Sequence, residues 1–119
     1  MKLHAQVWIP LIACLITRLA QAHAHLESST PADGSTLKAV PAALEMSFSE
    51  PARLTALWIQ RDREPRQAVR SLPASTDRTL RVALPTLAPG VYSVTWRVVS
   101  ADGHIASGAV RFTIVPAAR

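Results

Sequence analysis

Cysteine is almost missing from this 119-residue chain: Cys14 is the single one. A disulfide needs two thiols, so no disulfide framework holds the fold and its stability must come from packing. Glycine is scarce, with four residues, and methionine has two. No apolar run approaches the ~20 residues a bilayer-spanning helix needs. No stretch of ten or more residues keeps a helical period, which argues against a helical domain. Acidic residues number eight against thirteen Lys and Arg. The basic excess includes no arginine run interleaved with aromatic side chains as a stacking surface would require, and this excludes nucleic acid as the expected partner.

The first 22 residues read as a secretory signal. Lys2 supplies the positive start, Val7 to Ile16 is an apolar stretch broken only by Pro10, and Ala20-Gln21-Ala22 is a small-x-small cleavage site. Cleavage removes Lys2, Arg18 and Cys14, leaving residues 23–119 as one domain with a charge near +3. That length suffices for one modest core. A second processing route stays open, because Leu11-Ile12-Ala13-Cys14 loosely matches a lipoprotein site at which Cys14 would become the first residue. The two routes differ in whether His23 carries a free amine.

The remaining chain alternates with a period of two, the mark of half-buried strands. Leu44, Met46 and Phe48 form one set, and Leu80, Val82 and Leu84 another. Tyr92, Val94, Trp96 and Val98 form a third, and Val110, Phe112 and Ile114 a fourth. Weaker strand candidates lie at 26–29, 56–60 and 68–72. Pro31-Ala32-Asp33-Gly34, Ala88-Pro89-Gly90 and Asp102-Gly103 carry turn chemistry. Arg61, Arg63, Arg66 and Arg70, mixed with Asp62 and Glu64, read as a solvated loop and strand face. About seven short strands at this spacing predict an all-β sandwich.

Signal cleavage would place His23-Ala24-His25 at the N-terminus. A terminal histidine can close a chelate ring through its amine and its imidazole Nδ1, whose ordinary pKa values of about 7.7 and 6.5 let both shed a proton near neutrality. Nitrogen donors in tetragonal geometry favour Cu(II). His25 offers a second mode, in which a free amine and a histidine at position three wrap Cu(II) through deprotonated amides. Asp102-Gly103-His104 adds a carboxylate and an imidazole on one turn. The combined set suits Cu(II) better than Ca(II) or Mg(II), which prefer oxygen, although Zn(II) accepts the same donors. Each piece has a plainer reading: Asp-Gly between strands is commonly a hairpin turn, His-x-His a polar start, and Glu50 before Pro51 a strand end.

Several ordered motifs together carry a resemblance. His23-Ala24-His25-Leu26 is followed by Ser28-Ser29-Thr30-Pro31, then by Ser47-Phe48-Ser49-Glu50-Pro51. Pro89-Gly90-Val91-Tyr92 leads into Trp96-Arg97-Val98-Val99-Ser100-Ala101-Asp102-Gly103-His104, and Gly108 and Phe112 close the pattern. Over nearly its whole mature length the chain resembles CopC-type periplasmic copper proteins. The resemblance implies a Greek-key β-sandwich or barrel of immunoglobulin-like type. It implies one Cu(II) per chain held by His23, Asp102 and His104, with His25 an auxiliary candidate and Glu50 a supporting acceptor. It also implies a periplasmic role in copper homeostasis or resistance, by sequestration or by delivery to an inner-membrane protein of the CopD type. Some members carry a methionine-rich loop for Cu(I), a soft ion that thioethers suit. Here only Met46 remains after processing, in phase with the apparent core, so a Cu(II)-only member is expected.

Two other functions fit parts of the pattern. A terminal histidine with a second histidine resembles the copper brace of polysaccharide monooxygenases. Those catalytic domains are generally larger and present a flat aromatic surface, whereas Phe48, Tyr92, Trp96 and Phe112 read inward here and leave only Trp58. The expectation is therefore a binding protein and not an enzyme. A metal-free immunoglobulin-like adhesion domain is the third reading.

Overall fold

The computed structural model describes residues 24–117. The signal sequence, both processing sites and His23 lie outside the described residues. Seven strands follow one another: β1 (Leu26–Thr30), β2 (Ser35–Leu37), β3 (Ala43–Arg61), β4 (Gln67–Ala68), β5 (Asp77–Ala83), β6 (Gly90–Ser100) and β7 (Ile105–Ile114). They form an all-β, Greek-key sandwich of the expected type.

The pairing of β3 explains the two layers. Its first half runs between β1 and β5, with Met46 opposite both Ser29 and Leu80. Its second half pairs with β6 from Ala52↔Ser100 to Arg61↔Tyr92, and with β4 at Trp58 and Ile59. The sheet continues through β7 to β2, which runs parallel to β7. Sequence reading split β3 into two candidates around Glu50-Pro51. The strand is continuous because Pro51 falls where the β5 ladder is irregular, between Ser47 and Ala52. A missing N–H is tolerated at such a break.

The alternating residues meet between the layers. Leu44, Met46, Phe48, Leu80 and Val82 from one layer pack with Leu54, Leu57, Val94, Trp96, Val98, Val110, Phe112 and Ile114 of the other, all 5% exposed or less. Phe48 meets Trp96 edge-on at 5.2 Å, and Tyr92 stacks on Phe112 at 5.5 Å. Such ring pairs add about 0.5–1.5 kcal/mol beyond their burial. Trp58 is the aromatic left on the outer face, as the parity predicts. The expected strand at 68–72 shrinks to Gln67–Ala68.

Candidate metal site

The turn between β6 and β7 is built by its own side chains. Ser100 ends β6 on the inward parity and is the one buried polar residue among the described residues. Its N–H donates to the His104 carbonyl at 2.8 Å, and Gly103 N–H donates to the Ser100 carbonyl at 2.9 Å. Gly103 has φ +88°, a left-handed conformation that glycine adopts without strain. The Ser100 hydroxyl donates to Asp102 Oδ1, and the His104 N–H reaches the same oxygen at 3.2 Å. The other carboxylate oxygen, Oδ2, lies 2.8 Å from His104 Nδ1. Asp102 and His104 therefore converge as a carboxylate–imidazole pair on a partly exposed turn. The Ser100 hydroxyl first, and the His104 imidazole second, hold the Asp102 carboxyl well below the usual carboxylate range. It stays ionised and acceptor-only at any ordinary pH.

The N-terminal segment is tied to the same end of the sandwich. The His25 N–H donates to Ser49 Oγ at 3.0 Å, and that hydroxyl lies 3.1 Å from His25 Nδ1. Ser49 N–H returns a bond to the His25 carbonyl at 2.9 Å. Two residues further on, the Pro51 carbonyl accepts the Ala101 N–H at 3.3 Å. Residues 49–51 of β3 thus join the start of the described residues to the β6–β7 turn, with half-buried Glu50 between the two attachments. Among the described residues no three of His, Cys, Asp and Glu form a group able to hold a metal ion. The structure brings Asp102 and His104 together; His25 is engaged by Ser49 instead, and Glu50 joins neither in such a group. Sequence reasoning passed over Ser100 and Ser49. A polar residue continuing the inward parity of Tyr92, Val94, Trp96 and Val98 is the signal that singles out Ser100.

The fold is a small two-layer β-domain with an ionised carboxylate and an imidazole paired at one end. The family model described as the CopC domain matches residues 26–115, and the chain belongs to the CopC family. It is 35% identical to copper resistance protein C of Pseudomonas syringae pv. tomato, an alignment covering 96% of this chain and 99% of that protein. The crystal structure of CopC from Methylosinus trichosporium OB3b superposes with a TM-score of 0.72 at 27% identity, covering 82% of this chain and 98% of that one. PcoC of Escherichia coli, a methionine-rich copper resistance protein, gives a TM-score of 0.60 at 27% identity over 78% of this chain and 99% of its own.

Proposed function

We propose that the protein is exported, is cleaved after Ala22, and binds one Cu(II) through His23, Asp102 and His104 in the periplasm. The observation that carries this reading is the contact between Asp102 Oδ2 and His104 Nδ1 at 2.8 Å. A divalent cation can bind at this pair, drawing on a carboxylate already ionised and on the His104 imidazole. Two ligands do not make a tight site, and the donor set needs a third from outside the described residues. Position 23 is the natural source. It lies one residue step, ~3.8 Å between Cα atoms, from Ala24, which is 1% exposed and anchored in the core. A terminal histidine there supplies an amine and an imidazole, completing a nitrogen-rich set that favours Cu(II). Met46 is fully buried, so no exposed thioether is present among the described residues to favour Cu(I).

The role follows from binding without chemistry: the protein sequesters Cu(II), or hands it to a membrane transport partner of the CopD type. The copper resistance names of its relatives support the metal's identity. The deciding experiment compares Cu(II) affinity of the protein starting at His23 with one carrying a single added glycine. The added residue separates the amine from the ring, so affinity should fall at least tenfold. Equal affinities would exclude the terminal amine as a ligand.

A further inference from the structure

The outer face of β3, β6 and β7 carries charge that the fold leaves unpaired. Its rows follow from the register: Arg53–Val99–Ile105, then Ala56–Arg97–Ser107, then Trp58–Thr95–Ala109, then Gln60–Ser93–Arg111. None of these twelve positions is a carboxylate. Arg66, just before β4, brings its guanidinium over the Trp58 ring at 4.5 Å from the centroid, and Arg97 approaches the same ring at 5.7 Å. On the rest of the sandwich Arg81 pairs with Glu45 at 3.1 Å and Arg61 with Glu64 at 3.2 Å, while Arg63, Arg70 and Arg78 stand scattered without an ion pair among the described residues. Among the described residues Arg53, Arg66 and Arg97 make no ion pair. At the border the Asp33 carboxylate accepts the Arg111 main-chain N–H, which places a negative charge beside that arginine. Ile105 is 66% exposed at the end of the face nearest the β6–β7 turn.

We infer that this face docks the protein on an anionic phospholipid surface. The four rows extend about 20 Å along the strands and the three strands about 10 Å across. Charge spread over such an area matches a plane of phosphates. Guanidinium forks bind phosphate in bidentate fashion. An indole and an exposed isoleucine are the side chains that settle at the headgroup boundary. Each basic residue near an anionic bilayer strengthens attachment about fivefold, and the attraction is screened by salt. Attachment is therefore weak and reversible. It would hold the β6–β7 turn close to the bilayer, though binding to lipid does not depend on the copper reading.

The test is co-sedimentation of the processed protein with vesicles of phosphatidylglycerol and phosphatidylethanolamine, and separately with vesicles of phosphatidylcholine alone. Binding to the anionic vesicles should exceed binding to the neutral ones at least tenfold and disappear in 0.5 M salt, a concentration chosen to cut the screening length to about half its physiological value. The double variant Arg53→Gln/Arg97→Gln should lose about thirtyfold in partitioning with an unchanged melting curve and unchanged Cu(II) affinity. The control Arg78→Gln, on β5 of the other layer, should bind like the parent. Equal binding to both vesicle types, no binding to either, or a double variant that still binds would overturn the inference. So would binding to polyglutamate but not to anionic vesicles, which would make the partner an acidic polypeptide.

Discussion

Gly108→Ala puts one methyl group against the largest side chain of the core. Gly108 faces Trp96 across the β6–β7 ladder. A Cβ built there lies 2.5 Å from Trp96 Cζ2 and 2.9 Å from Cε2. Carbon atoms prefer about 3.5–4.0 Å, so an overlap of about 1 Å must be relieved. The indole is rigid, 5% exposed, and backed by the edge of Phe48. Its Nε1 has no hydrogen-bond partner among the described residues, so packing alone positions the ring. One escape exists: Trp96 and Gly108 border a surface groove of about 510 Å³ with Leu26, Ser28 and Ala109. Shifting toward it would sacrifice the Phe48 contact. Overpacking of this kind costs about 1–3 kcal/mol. In a domain of this size each kcal/mol lowers Tm by about 4–8 °C, so a central cost of ~2 kcal/mol predicts a drop of roughly 8–16 °C. Urea and thermal unfolding followed by far-ultraviolet circular dichroism measure it. In a Trp96→Phe background the clashing ring is gone, and Gly108→Ala should cost at least ~1 kcal/mol less. Equal losses in the two backgrounds, or an unchanged parent Tm, would refute the contact as the cause.

Asp102→Asn should keep the turn, because its amide oxygen still accepts from the His104 N–H, yet weaken Cu(II) binding at least tenfold by titration. His104→Ala should do the same and alter the copper absorption spectrum; unchanged affinity in both variants would remove this turn from the site. Affinity should fall as pH drops through the range where the amine and imidazoles take up protons, about 8 to 6. The sign follows from the ligands. The Asp102 carboxyl is depressed in the folded chain and keeps its charge throughout that window, so the loss belongs to the nitrogen donors. An affinity flat from pH 8 to 6 would mean that oxygen ligands dominate.

The fold was legible because burial imposes a period of two. Leu44, Met46 and Phe48, and likewise Tyr92, Val94, Trp96 and Val98, are inward as their alternation requires, and all are buried. Trp58 fell out of phase and is half-buried on the outer face. Three features escaped because they are set by partners distant in sequence. Three residues of β2 are too few to show alternation and become a strand by parallel pairing with Phe112, Thr113 and Ile114. The continuity of β3 depends on a change of neighbours at Pro51, which no local pattern encodes. Ser49 acquires its role only by lying opposite His25, 24 residues away. Within the candidate site, Asp102 and His104 were readable because one tight turn fixes their spacing. The relation of that turn to the segment at His25 depends on long-range register.

That register would make an N-terminus cleaved after Ala22 a structural element. A terminal histidine on a loose tail would pay a large entropic cost to reach a preformed ligand pair. If cleavage falls after Ala22, folding of the residues that follow already meets much of that cost. Ala24 is buried in the core, and His25 is bound to Ser49 through both its N–H and its carbonyl. The same stretch of β3 then holds Ala101 through the Pro51 carbonyl, one residue before Asp102. His25 and the Asp102–His104 turn are thus fastened to β3 two residues apart. If residue 23 supplies the remaining ligands, the bond network around Ser49 shapes the metal site without touching the ion. Ser49→Ala should then weaken Cu(II) binding while leaving the spectrum of the copper-loaded protein unchanged, because the ligands remain and only their restraint is lost. A changed spectrum would place the Ser49 hydroxyl, or the His25 it holds, among the ligands themselves.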